Sequence, residues 1–257
     1  MSAFGRTLTV ARHTYREATR QRVLYALAAV ASMVMVSGLL LKGLTLRQEG
    51  KILQDQGLAT AEFISVLVAI VLSCDLLSRE IEQKTVHAVL ATRLRRWEFI
   101  VGRFAGLLAI LVVVVLAMGL GAVVALAVSG NQPGSGFPIA LFAILLGAVL
   151  VSSIGIFLSS MAGRTVAIVG TVSAVIAGRL SDTLANLPEL LPNVPAWIGS
   201  ALYLVLPNFR NFDLKNHAVY GDPISLQTVA WITVYALTYS TLLLTLAIAA
   251  FRRRDLT

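Results

Sequence analysis

The sequence has few charged residues and a single cysteine. Of its 257 residues, 13% are charged and 57% are hydrophobic, whereas about a quarter of the residues in a soluble globular domain are charged. A soluble fold of this length needs more charge to cover its surface. Cys74 lies in an apolar run, which excludes a disulfide within the chain and disfavours a cysteine-based zinc site. The composition therefore favours lipid as the solvent for most of the chain.

The sequence also lacks the short motifs of several enzyme classes. It has no G-x-x-x-x-G-K-[ST] phosphate-binding loop, no H-E-x-x-H zinc motif and no G-x-S-x-G nucleophile motif. Its three histidines, His13, His87 and His217, are far apart in the chain, which disfavours a metal site made by this chain alone. We therefore expect no catalytic residues, no metal and no cofactor, and an intramembrane enzyme is disfavoured.

Long uncharged runs predict six transmembrane helices. About 20 apolar residues in a helix cross a bilayer, and backbone hydrogen bonding in lipid requires helices rather than open strands. The predicted spans are 23–41, 59–77, 104–128, 137–161, 163–180 and 226–251. The first follows a five-arginine stretch and has no clear cleavage site, so we expect a span rather than a removed signal. The predicted fold is an all-α polytopic membrane protein with one domain over residues 1–257.

Lysine and arginine are unequally divided between the two predicted sides. With six spans, 15 of the 21 basic residues lie on one side and six on the other. The positive-inside rule places the richer side, with both termini, in the cytoplasm. The span at 163–180 contains only a short uninterrupted apolar run. Without this span, however, the arginine cluster at 252–254 would lie outside the cell. We interpret the net charge of +8 as membrane orientation rather than as a nucleic-acid surface.

Residues 4–20 predict a basic amphipathic helix before the first span. Its apolar side chains share one helical arc: Phe4, Leu8, Ala11, Tyr15 and Ala18. Its basic side chains lie opposite: Arg6, Arg12, His13, Arg16 and Arg20. We expect this helix to lie in the inner interface, with Arg6, Arg12, Arg16 and Arg20 reaching lipid phosphates. The alternative is a disordered basic tail.

Residues 78–103 predict a cytoplasmic helix between the second and third spans, because they contain no proline and no glycine before Gly102. Glu80 and Glu82 would lie near the start of this helix, where its dipole favours carboxylates. Apolar residues on two sides indicate contact both with the bundle and with a partner; an ordinary charged loop is the alternative. Gly102 and Gly106 either allow close helix packing or simply mark the exit from the loop.

The segment 79–103 resembles the cytoplasmic loop of ABC-2 type transporter permeases, the membrane subunits of type V ABC exporters. Glu80 and Glu82 match the family's acidic pair, Thr85 its threonine, Val89-Leu90 its leucine pair, Arg96 its arginine and Gly102-Arg103 its Gly-Lys. The sequence departs from the pattern at Lys84, where the family often has glycine, and at 91–93, where it often has proline. The resemblance covers the whole chain in topology and about 25 residues in motif.

The resemblance implies the permease subunit of an ATP-driven transporter, an exporter in a bacterial inner membrane. Because the chain has no phosphate-binding loop, the ATPase would be a separate cytoplasmic subunit, present in two copies. A second permease subunit, identical or different, would complete the translocation path within the lipid, and no nucleic acid is expected. The ATPase-coupling candidates in the loop are Glu80, Glu82, Thr85, His87, Leu90 and Arg93.

Residues 181–225 are proline-rich and contain apolar stretches too short to span, such as 196–206. These stretches predict external re-entrant or interfacial helices, with Trp197 and Tyr203 as headgroup anchors. In the family that the chain resembles, such helices close the outer side of the path. A secondary transporter usually carries ionisable residues near the middle of the membrane. Here Glu62 and Asp75 lie near span ends, which disfavours that alternative and leaves the transported substrate open.

Overall fold

A computed structural model describes residues 3–40, 49–82, 96–181 and 206–253, and every regular element in these ranges is helical. The elements are α1 (Ala3–Thr19), α2 (Arg22–Leu40), α3 (Glu49–Glu82), α4 (Arg96–Val128), α5 (Phe137–Met161), α6 (Arg164–Arg179), a 3-10 turn (Phe209–Phe212), α7 (Lys215–Tyr220) and α8 (Leu226–Arg253). The all-α class and the polytopic architecture predicted from the sequence are confirmed.

Four single helices are long and apolar enough to cross a membrane. They cover Glu49–Asp75, Trp97–Val128, Phe137–Met161 and Leu226–Phe251. Gly5–Thr19 and Arg22–Gly38 form a fifth candidate as one broken span, bent by 58°. Length and composition therefore give four or five spans among the described residues, and the predicted count of six is not confirmed.

The difference in span count comes mainly from α6, which occupies the predicted fifth span. It has 16 residues, so at 1.5 Å per residue it is about 24 Å long. The hydrocarbon core of a bilayer is about 30 Å thick. The predicted span at 137–161 coincides with α5, and those at 59–77 and 104–128 lie within the longer helices α3 and α4.

Helix α5 is the centre of the bundle. It packs against α3, α4, α6 and α8, and every residue from 146 to 156 is buried. This stretch includes the small residues Gly147, Ala148, Ser152, Ser153 and Gly155, which allow neighbouring helices to approach closely. A helix that is apolar on all sides is a buried helix. The surrounding helices α2, α4 and α8 instead expose large apolar side chains, such as Met33, Leu120 and Leu237, as lipid-facing surfaces do.

Side-chain contacts define two ends of the bundle. At the first, called the α1 end, Phe99 at the start of α4 stacks on Phe251 of α8 with ring centroids 6.4 Å apart. At the opposite end, the side-chain amide of Gln54 donates to the Ala218 carbonyl at 2.9 Å and accepts from the Gly134 amide at 3.1 Å. The turn after α4 and the short helix α7 therefore lie together at the end opposite α1.

Most of the predicted external segment, including Trp197 and Tyr203, lies outside the described residues. From residue 206 onward, the chain forms the 3-10 turn and α7 before it enters α8. Phe212 of the turn is buried and contacts the ring of Tyr235, with centroids 6.1 Å apart. The visible part of this segment is thus packed onto the bundle at the end opposite α1.

Candidate functional site

The predicted coupling loop is described at its two ends. Helix α3 runs without interruption through the second predicted span to Glu82 and contains 34 residues. Glu80 and Glu82 therefore lie far from a helix start, and the prediction that the N-terminal helix dipole favours them there is wrong. The other four coupling candidates, Thr85, His87, Leu90 and Arg93, lie outside the described residues.

The loop re-enters the bundle at the start of α4, and α1 is docked on that point. The Arg6 guanidinium donates through Nε to Glu98 Oε2 at 3.0 Å and through Nη2 to Oε1 at 2.7 Å. Glu98 is fully buried. These hydrogen bonds raise the pKa of Arg6 above its already high ordinary value, so the guanidinium remains charged. A two-pronged pair of this kind fixes orientation as well as distance.

A second ion pair joins the same two helices with the charges reversed. Arg103 of α4 donates through Nη1 to Glu17 Oε2 of α1 at 2.8 Å, and Arg103 is only 4% exposed. The Arg103 guanidinium also lies over the ring of Phe99, 5.5 Å from its centroid. Because each helix contributes one cation and one anion, the two pairs define the direction in which α1 lies along α4.

Two glycines of α4 allow α1 to approach closely between these ion pairs. A Cβ added to Gly102 would lie 2.7 Å from Val10 Cβ, and one added to Gly106 would lie 2.6 Å from Thr14 Cβ. The contacts advance by four residues on each helix, so α1 and α4 run side by side in the same direction. Of the two alternatives for these glycines, the structure shows close helix packing, and α1 is the partner.

The packed face of α1 overlaps only in part with the apolar arc predicted from the sequence. Ala18 is fully buried and Tyr15 packs against the core, as the arc predicts. Leu8 is 59% exposed, however, and Thr14, which is not on the arc, is fully buried. The glycine surface of α4 accepts small side chains, and the Thr14 hydroxyl is satisfied by donating to the Val10 carbonyl at 2.9 Å. Periodicity of large apolar residues does not reveal such a face on α1, whereas the four-residue glycine spacing indicates the packing surface of α4.

The four arginines predicted to reach lipid phosphates do not share one environment once α1 packs on α4. Arg6 turns inward to Glu98, while Arg12, Arg16 and Arg20 are exposed. The sequence contains no signal that pairs Arg6 with Glu98, because the two residues are 92 positions apart.

Two further ion pairs hold α6 against α3. Asp75, which is buried, pairs with Arg164 Nε at 2.5 Å where α6 begins. Glu62 pairs with Arg179, where α6 ends, and with Lys215 Nζ of α7 at 2.5 Å. Helix α6 therefore runs antiparallel to α3 between these two points. Both acids that the sequence places near the ends of the second span are thus paired.

A groove between α3 and α6 ends at the Glu62 ion pairs. Its volume is about 390 Å³, and its walls are mainly apolar, with Phe63, Val66 and Ile176 among the lining residues. Within the described ranges, no group of three His, Cys, Asp or Glu side chains is arranged to hold a metal ion. The site is therefore a set of helix contacts at the α1 end, where the loop leaves and re-enters the bundle, and the apolar groove lies towards the opposite end.

Comparison with known proteins supplies the family. The model of a family described as "ABC-2 family transporter protein" matches residues 8–256 of the chain. A search of curated proteins found no match.

Proposed function

The chain belongs to the ABC-2 family of transporter proteins, and from this we propose that it is the permease subunit of an ATP-driven exporter. As a permease of this family, it forms a membrane translocation component and is not itself catalytic. The finer proposal has three parts: export as the direction, two separate cytoplasmic ATPase subunits as the motor, and a second permease subunit across the path.

The observation that carries the coupling proposal is the clamp of α1 on α4. Two ion pairs and two glycine contacts join α1 to the first three turns of α4, where the predicted coupling loop returns. The other end of the loop continues directly from α3. A force applied to the loop would therefore act on two stiff elements, the end of α3 and the unit formed by α1 and α4. Their relative displacement would open or close the path.

We propose that the α1 end faces the cytoplasm and that α6 is a transmembrane span, the fifth of six. The positive-inside rule supports this orientation, because the basic residues of the N-terminal segment lie at that end. The two ion-paired ends of α6 lie beside Asp75 and Glu62, which are 13 residues apart on α3, or about 20 Å. Helix α6 is short and carries a charged residue at each end, which is compatible with a span in a locally thinned bilayer.

Reporter fusions test this topology. We expect fusions after Gly130 and between Asn208 and Tyr220 to report an external location, and a fusion at Thr257 to report a cytoplasmic one. The physical reason is the 15-to-six division of lysine and arginine between the two sides. A cytoplasmic signal from the Asn208–Tyr220 fusions would overturn both the proposal that α6 spans the membrane and the proposed orientation.

The division of labour between subunits predicts the behaviour of the purified chain. We expect it neither to bind nor to hydrolyse ATP, because the sequence has no loop that holds nucleotide phosphates. Hydrolysis should appear when a P-loop ATPase that co-purifies with the chain is added back. The measurement is phosphate release by each component and by the complex, with a Walker-lysine variant of the ATPase as control. Stoichiometric hydrolysis by the pure chain would sink the proposal.

A further inference from the structure

An apolar groove opens beside the bend between α1 and α2, away from the α3–α6 groove. Its volume is about 300 Å³, and it lies between α2, α3 and α4. Leu27 and Ala28 form the α2 wall, Ile64 and Val68 form the floor, and Val113 and Ala117 form the α4 wall. This volume is at the lower end of the range of small-molecule sites, about 300–1,000 Å³.

The groove opens towards the surrounding lipid. Its floor is buried, with Ile64 and Val68 at most 2% exposed, whereas Tyr25 and Val113 on its walls are 67% and 50% exposed. Water gains no hydrogen-bond partners among such walls. In a protein that spans a membrane, a hydrocarbon chain is therefore the chemically matched occupant.

Three arginines lie close in the chain to residues that line this groove. Arg16, Arg20 and Arg22 are exposed, and none of them forms an ion pair within the part of the chain that the structure describes. Arg16 precedes the lining residue Thr19 by three positions, and Arg22 precedes the lining residue Tyr25 by three. Residues three apart share a helix face, so these two arginines lie on the faces that border the groove.

Glu17, the acid next to Arg16 in the sequence, is held by other residues. Glu17 is engaged by Arg103, and His13 Nδ1 lies 3.8 Å from the same carboxylate. The bend of 58° between α1 and α2 keeps the arginines together where the chain passes from the interface into the membrane. Three exposed cations beside an apolar groove match the two parts of one molecule, an anionic head and a hydrocarbon tail.

We propose that this site binds one anionic phospholipid of the surrounding membrane. One acyl chain fills the groove between α2 and α4, and the headgroup phosphates contact Arg16, Arg20 and Arg22. The lipid thereby fixes the angle between the clamped helix α1 and the spanning helix α2.

Lipid titration of the purified full-length chain, followed by native mass spectrometry, tests the proposal. The probes are phosphatidylglycerol and phosphatidylcholine with identical acyl chains. We expect one phosphatidylglycerol to remain bound under conditions that remove phosphatidylcholine. Changing all three arginines to glutamine should weaken phosphatidylglycerol binding on the order of 100-fold, since each basic residue near an anionic surface contributes about fivefold. Arg210→Gln, an exposed arginine at the opposite end of the bundle, should leave this binding unchanged.

Two variants test the groove independently of the charges. Ala28→Trp from the α2 wall and Val113→Trp from the α4 wall should each displace the acyl chain and abolish the retained phosphatidylglycerol, while the arginines remain. If either tryptophan variant fails to fold, the other variant and the glutamine triple variant decide. Equal retention of the two lipids by the parent chain, or retention of phosphatidylglycerol by both the tryptophan and the glutamine variants, would overturn the proposal.

Discussion

Replacing Gly106 by leucine is expected to detach α1 from α4. A Cβ at this position would lie 2.7 Å from the Ala11 carbonyl oxygen and 2.6 Å from Thr14 Cβ. The first of these atoms is helix backbone, which cannot rotate away as a flexible side chain can. Overpacking of this kind costs about 1–3 kcal/mol, which corresponds to a shift of about 5- to 150-fold in the equilibrium between docked and detached α1.

The detachment is measurable with a cysteine at Thr14, which is fully buried in the α1–α4 contact. The Thr14→Cys thiol should react slowly with maleimide in the parent chain and about 5- to 150-fold faster in the Gly106→Leu variant. The native thiol, Cys74, is buried and serves as an internal reference. Gly163→Leu is the matched control, because a Cβ there meets nothing within 4 Å. Unchanged labelling in Gly106→Leu would show that α1 is held without the close glycine contact.

The same variant distinguishes a structural clamp from a coupling element. If α1 and α4 move as one unit, detachment should reduce the stimulation of the ATPase by the permease while ATPase association through the loop is retained. If α1 serves only as an interfacial anchor, stimulation should remain at the parent level once the variant is inserted. This readout separates the two roles because insertion and association are measured on the same preparation.

Sequence reasoning was most accurate where composition alone determines the structure. The helix Phe137–Met161 coincides with its predicted span, because a long apolar run lies between a turn-rich segment and Gly163. The predicted span at 59–77 lies within α3, but the helix itself begins at Glu49, ahead of the apolar run. Polar residues can belong to this part of the helix because they find hydrogen-bond partners. The Gln54 side chain, for example, bonds to Gly134 in the turn after α4 and to Ala218 in α7.

The candidate site was less predictable because its contacts join distant parts of the chain. Arg6 and Glu98 each belong to an amphipathic or loop segment in which a charged residue is unremarkable. Only the fold shows that they meet and that Glu98 is buried. The glycine spacing at 102 and 106 indicated a close helix contact, but the sequence does not identify the partner helix. Local pattern therefore predicts the surfaces that pack, whereas tertiary structure decides what they pack against.

Changing both Glu80 and Glu82 to alanine is expected to weaken or uncouple the ATPase. We propose that these carboxylates meet basic groups of the ATPase on the part of α3 that leads into the loop. An exposed ion pair contributes about 0–1 kcal/mol, but truncating one partner of a buried, hydrogen-bonded pair at an interface costs about 2–5 kcal/mol. An exposed ion pair and a buried interface pair therefore predict clearly different losses of affinity for the ATPase in the double variant. Because α3 is continuous through Glu82, the N-terminal dipole of a helix does not explain these two acids.

The measurement compares affinity for the ATPase and stimulated ATP hydrolysis in the parent complex and in the double variant. Membrane insertion should stay close to the parent level, since neither carboxylate is needed in lipid. Glu49→Ala combined with Asp55→Ala is the matched control, because it removes two acids from the same helix at the opposite end of the bundle and should change neither quantity. If the Glu80 and Glu82 variant binds and stimulates the ATPase as the parent does, these glutamates are solvated residues. The coupling contact must then lie further along the loop, at His87, Leu90 and Arg93.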